Sequence, residues 1–165
     1  MITFVLGGAR SGKSKVAEQL AERAGGPVTY VATAIVDVGD PDHVARIEAH
    51  QARRPADWST IEVGTDLPGV LSDITGTVLV DSLGTWVTAG DDDRRPDLDG
   101  LVAALRSRRG DTIVVSEEVG LGVHPSSELG RRFRDVLGEV NVAVAEVADE
   151  VLLVVAGRVL PLGRP

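Results

Sequence analysis

Two short stretches carry residue types at spacings suited to chemistry. The first, GGARSGKS at 7–14, sets Gly7, Gly12, Lys13 and Ser14 in the pattern G-x-x-x-x-G-K-[ST]. It follows the apolar run ITFVL and opens the helical segment KSKVAEQLAERA, the context in which this pattern forms a phosphate-binding loop. The glycines let successive backbone N–H groups turn toward phosphate oxygens, and the helix N-terminus adds its partial positive charge. Lys13 then reaches the β and γ phosphates, and the Ser14 hydroxyl is placed to ligate Mg²⁺. Such loops have an acidic partner at the end of a neighbouring strand. TVLVD supplies Asp81, positioned to hold the metal through water. The plainer readings are a glycine-rich turn with an exposed lysine, and an aspartate that only caps a turn.

The second stretch is RIEAHQARRP at 46–55. On a helix, Arg46, His50, Arg53 and Arg54 fall at i, i+4, i+7 and i+8 and share one face, where like charges repel by roughly 0.2–0.5 kcal/mol per pair. A bound triphosphate is the compensating anion. Guanidinium neighbours disfavour imidazolium, so His50 stays neutral and nucleophilic. A neutral ring nitrogen can attack phosphorus and split one transfer into two, with the arginines balancing charge on the phosphoryl oxygens. The bland alternative is a histidine on a solvated polar face, which is also the reading for His43 and His124.

The bulk numbers narrow the class. A net charge of −8 argues against general nucleic-acid binding, which needs clustered basic surface. The absence of cysteine excludes disulfides, thiolate metal sites and thiol catalysis. No apolar run approaches the ~18 residues that span a bilayer. The N-terminus lacks a signal-peptide pattern, so the expected location is cytoplasmic. The only asparagine, Asn141, is not in an Asn-Lys-x-Asp context, which removes the regulatory GTPases.

These residues need a scaffold. Apolar runs at 2–6, 27–33, 77–82, 111–116 and 150–157 read as strands covered on both faces. Segments near 13–24, 41–54, 66–74, 97–109 and 126–148 read as helices. In the last, Leu129, Phe133, Val136, Leu137, Val140, Val144 and Val147 make one apolar stripe, capped by Ser126 or Ser127. The alternation predicts an α/β fold of the P-loop NTPase type with a mainly parallel sheet. RVLPL at 158–162 follows too closely for a helical crossover and predicts a C-terminal antiparallel hairpin through Gly157. The loop GDDDRRPDLDG at 90–100 reads as a solvated connection, and the chain as one domain over 1–165.

In order, GGARSGKS, TYVATA, RIEAHQARRPADWSTIE, VDSLGTWVT, SEEVGLGVHP, LGRRFRDVLG and VADEVLLVVAG resemble the bifunctional adenosylcobinamide kinase/adenosylcobinamide-phosphate guanylyltransferase family of cobalamin biosynthesis, nearly end to end. The resemblance implies a RecA-like fold and a homotrimer. It implies phosphorylation of adenosylcobinamide with ATP or GTP, then transfer of GMP from GTP through a guanylylated histidine, giving adenosyl-GDP-cobinamide and pyrophosphate. The implied nucleophile is His50, with Lys13 also catalytic. The implied nucleotide contacts are Gly7, Gly8, Ala9, Arg10, Ser11, Gly12, Lys13, Ser14, Thr33, Ala34, Ile35, Gln51, Ala52, Arg53, Arg54, Glu62 and Asp81, with Ser14 and Asp81 serving Mg²⁺.

Three positions depart from the family's usual residues: Glu117 stands for Asn in SEEVG, and Glu139 and Val142 stand for Arg and Gln in GEVNV. The stretch after Trp86 is shortened. These changes bear on corrinoid contacts and on the kinase half-reaction. The competing readings are a guanylyltransferase with weakened kinase activity, a simple small-molecule kinase in which His50 only binds phosphate, and a nucleotide-binding regulator that transfers nothing.

Overall fold

The computed structural model describes residues 1–34, 54–90 and 94–164. In chain order the elements are β1 (Ile2–Gly7), α1 (Lys13–Ala24), β2 (Val28–Ala32), β3 (Ser59–Glu62), α2 (Leu67–Asp73), β4 (Thr77–Asp81), α3 (Leu83–Val87), α4 (Leu98–Ser107), β5 (Thr112–Glu117), α5 (Glu128–Val147), β6 (Glu150–Val155) and β7 (Arg158–Pro161). The strands form one sheet in the order β3-β2-β4-β5-β1-β6-β7, parallel except for the last pair. The expected α/β P-loop fold is borne out, with its C-terminal hairpin.

Both faces of the sheet are covered, as the continuous apolar strands require. Successive residues alternate between the two sides with the period of a strand. Val5, Tyr30, Leu79 and Val115 face α1, where Ala17 and Ala21 let the helix approach closely. Phe4, Val31, Val80 and Val114 face the opposite layer, where Leu67, Leu71, Trp86, Leu105, Leu137 and Val144 fill the space against α2 to α5. Side-chain caps fix three helix starts: Asp66, Asp97 and Ser127 each accept from the backbone N–H three residues on, at 3.0, 3.0 and 3.1 Å. The Ser127 cap agrees with the sequence reading.

Some expectations shift. β3 and α3 were not anticipated. STIE is largely exposed at the sheet edge and shows no apolar run, and α3 is only five residues long. In α5, Leu137, Val140 and Val144 are buried and Phe133 and Val147 pack against the core, but Leu129 is 56% exposed. Asn141 takes a buried place on that stripe instead. The charged loop after Gly90 is not wholly solvated. Arg94 donates to the carbonyls of Ala89 and Thr65 at 3.0 Å each, with its guanidinium 5.8 Å from the Trp86 ring. Of the helix expected at 41–54, only Arg54 lies among the described residues, and it is not helical.

Candidate active site

The parallel strands bring their carboxyl ends to one edge, the usual ligand-binding edge of open α/β sheets. Register places Glu62 of β3 beside Ala32 of β2, Ala32 beside Asp81 of β4, and Glu117 of β5 beside Gly7 of β1. Residues far apart in sequence thus meet along a single line.

At the β1 end the chain turns through the glycine-rich loop into α1. A Cβ on Gly7 would lie 2.8 Å from the Val154 carbonyl oxygen, so this position admits only glycine without displacing β6. Arg10 and Gly12 take left-handed φ values of 55° and 93°, the alternation that turns backbone N–H groups inward. Unlike α2, α4 and α5, helix α1 has a glycine, Gly12, at its N-cap and so no cap from that residue's side chain. The Lys13 N–H donates to Ser11 Oγ at 3.3 Å, and the helix N-terminus is suited to an anion. The loop is buttressed from behind: the Gly157 N–H donates to the Ser11 carbonyl at 2.8 Å. Gly157 belongs to the tight β6–β7 turn, in which both Ala156 (φ 50°) and Gly157 (φ 73°) are left-handed.

Lys13 is mostly buried. Its Nζ lies 3.5 Å from the Gly8 carbonyl and 3.5 Å from Glu117 Oε1. Glu117 Oε2 accepts from Ser82 Oγ at 3.0 Å and from the Gly84 N–H at 3.1 Å. Behind Glu117, the Asn141 amide donates to its backbone carbonyl at 3.0 Å, and Ser116 Oγ donates to Asn141 Oδ1 at 2.6 Å.

At the β2–β4 end, the Tyr30 hydroxyl donates to Asp81 Oδ2 at 3.1 Å. The Arg54 guanidinium lies over the Tyr30 ring, 3.4 Å from its centroid, and Nη1 donates to Thr60 Oγ1 at 3.3 Å. Burial, and then the neighbouring Asp81 charge, push the Tyr30 phenol far above its ordinary value. The Nε of Arg54 is buried with no hydrogen-bond partner among the described residues. Thr33 is fully buried, and its hydroxyl donates to the Ser82 carbonyl at 2.6 Å while accepting from the Ser82 N–H at 2.9 Å. It ties the end of β2 to the turn after Asp81. Ala34 follows, half-buried, and Glu62 is exposed on the edge strand.

Of the residues singled out from sequence, Gly7, Gly8, Ala9, Arg10, Ser11, Gly12, Lys13, Ser14, Thr33, Ala34, Arg54, Glu62 and Asp81 all sit along this edge or in the loop it carries. Ile35, His50, Gln51, Ala52 and Arg53 lie outside the described residues. Sequence reasoning did not place Tyr30, Ser82 or Asn141 in the site, and noted Glu117 only as a departure. Its signal was an acid directly after an apolar strand, the same signal that marked Asp81.

The family model for cobinamide kinase / cobinamide phosphate guanyltransferase matches residues 3–162. The chain belongs to this family. The bifunctional adenosylcobalamin biosynthesis protein CobP of Pseudomonas aeruginosa is 42% identical, covering 100% of this chain and 99% of that protein. The proteins named bifunctional adenosylcobalamin biosynthesis protein CobU from Escherichia coli K12 and Salmonella typhimurium LT2 are 36% and 35% identical, each covering 95% of this chain and 97% of the relative. The kinase/guanyltransferase family thus spans nearly the whole chain, and the loop, Asp81 and the Arg54 corner all fall inside the match.

Proposed function

We propose that the chain carries out both transfers of its family in cobalamin biosynthesis, with the sheet edge holding nucleotide for each. In the kinase step, the substrate hydroxyl oxygen of adenosylcobinamide attacks the γ phosphorus of ATP or GTP. A new O–P bond forms, the bond to the β–γ bridging oxygen breaks, and the nucleoside diphosphate leaves as the hydroxyl proton is lost. Lys13 and the loop N–H groups hold the phosphates and offset the charge spreading over the transferred group. In the second step a His50 ring nitrogen attacks the α phosphorus of GTP and pyrophosphate departs. The phosphate of adenosylcobinamide phosphate then attacks the histidine-bound GMP, giving adenosyl-GDP-cobinamide and freeing the imidazole.

The observation that carries this reading is the convergence of the glycine-capped α1 start, Lys13, Asp81 and Arg54 on one edge of the sheet. Arg54 stacks on Tyr30 beside Asp81 with its Nε lacking an acceptor among the described residues, and only four positions of sequence separate it from His50. Ser14 and Asp81 are hard oxygen donors of the kind Mg²⁺ accepts, in the small number it uses when phosphates and water complete its shell. The metal would neutralise phosphate charge. No helix among the described residues is long and apolar enough to cross a membrane. We place the enzyme in the cytoplasm and, by its family resemblance, in a homotrimer.

Incubation with α-labelled GTP tests the covalent step. An acid-labile GMP adduct should form on the wild type and be absent from His50→Ala, which should still phosphorylate cobinamide. γ-Phosphate transfer with no adduct under any condition would leave a simple kinase in its place.

A further inference from the structure

Glu117 is tied to its surroundings unevenly. Its bonds from Ser82 Oγ and the Gly84 N–H are 3.0 and 3.1 Å, whereas its contact with Lys13 is 3.5 Å. The backbone beneath it is pinned by the buried Asn141 amide. Glycine at position 84 leaves room for the carboxylate, since a Cβ there would collide with Oε2. Lys13, by contrast, has the Gly8 carbonyl and Glu117 as hydrogen-bond and ion-pair partners, both at 3.5 Å. Of the two partners, the lysine is the one free to swing. All three groups facing the carboxylate are donors, so both its oxygens act as acceptors.

We propose that Glu117 is a built-in rival of nucleotide phosphate for Lys13 and sets how tightly the site holds the terminal phosphate. Lys13 cannot serve both anions at full strength. When the ammonium turns to the β and γ phosphates, the carboxylate stays on Ser82 and Gly84, close to the new negative charge. It therefore lowers affinity twice, by holding the lysine back and by repelling what displaces it. The penalty grows with phosphate number: largest for GTP, smaller for GDP, and negligible for GMP. Glu117 acts here as a positioning residue through Lys13. This rests on the proposed reading in which Lys13 binds nucleotide phosphate.

The test is calorimetric binding of GTP, GDP and GMP to the wild type, Glu117→Gln, Lys13→Ala and the double variant. Glutamine keeps an acceptor for Ser82 and Gly84 but removes the charge. Glu117→Gln should bind GTP about fivefold tighter than the wild type, the scale of a partly exposed ion pair, with less gain for GDP and none for GMP. In the Lys13→Ala background the gain should shrink, because the shared partner is gone. The nucleotide KM should fall more than kcat changes, which a merely structural role would not produce. Glu117→Asn is a second neutral variant, should glutamine impair folding, and it should shift GTP affinity in the same direction. If Lys13→Ala weakens GTP binding while the neutral variants bind no tighter than the wild type, the rivalry is refuted and the loop reading survives. If Lys13→Ala binds GTP as well as the wild type, the loop reading itself fails and the rivalry falls with it.

Discussion

The phosphate loop at the β1 end and the tyrosine–arginine corner at the β2–β4 end share one sheet edge but are built differently. The loop is eight consecutive residues whose shape is set by backbone conformation and by contacts with Val154 and Gly157. The corner is assembled from Tyr30, Arg54, Thr60 and Asp81, which meet only because of strand order. One region depends on local geometry, and the other on long-range pairing. Substitutions in the loop should therefore act on chemistry, and those in the corner and its supports should act on stability as much as on rate.

The largest effect expected is in the loop. Lys13→Ala should lower both phosphoryl and guanylyl transfer about 10²-fold or more, with little change in thermal unfolding. Steady-state assays of both half-reactions check it, and full retention of guanylyl transfer would separate the two activities onto different phosphate sites. Next comes the support beneath Glu117. Asn141→Leu leaves the buried Ser116 hydroxyl and the Glu117 carbonyl without their partner, so stability should fall by about 2–3 kcal/mol in urea unfolding. A neutral result there would mean that the pair is dispensable to the fold.

The smallest effect belongs to the corner. Tyr30→Phe removes one hydrogen bond to Asp81 and should cost about 1 kcal/mol at neutral pH. Its pH dependence is more diagnostic. The folded phenol holds its proton more tightly than the unfolded one, so this contribution is fully present below about pH 10 and is lost as pH rises above it. The wild type should therefore lose stability faster than Tyr30→Phe in alkaline unfolding. Parallel decline of both proteins would mean that Tyr30 ionises in the folded state as it does in the unfolded one.

The same contrast explains what was legible beforehand. The loop, its strand and its helix were readable because consecutive residues carry both the motif and the apolar run that positions it. Asp81 was readable because it ends such a run. Tyr30 was not, because nothing in TYVATA says which strand will lie beside it. Asn141 was not, because its partners on β5 come from a different part of the chain. β3 was missed because an exposed edge strand carries no buried face to impose a pattern. Leu129 went the other way, fitting the stripe by spacing but standing beyond the point where α5 meets the sheet layer.

The hydrogen bond from Gly157 to Ser11 joins the glycine-rich motif to a turn that is synthesised well after it. A nascent chain that already contains the entire glycine-rich motif lacks the brace that fixes its curvature until the β6–β7 turn has left the ribosome. The curvature of the motif is thereby completed by residues that the motif itself does not contain.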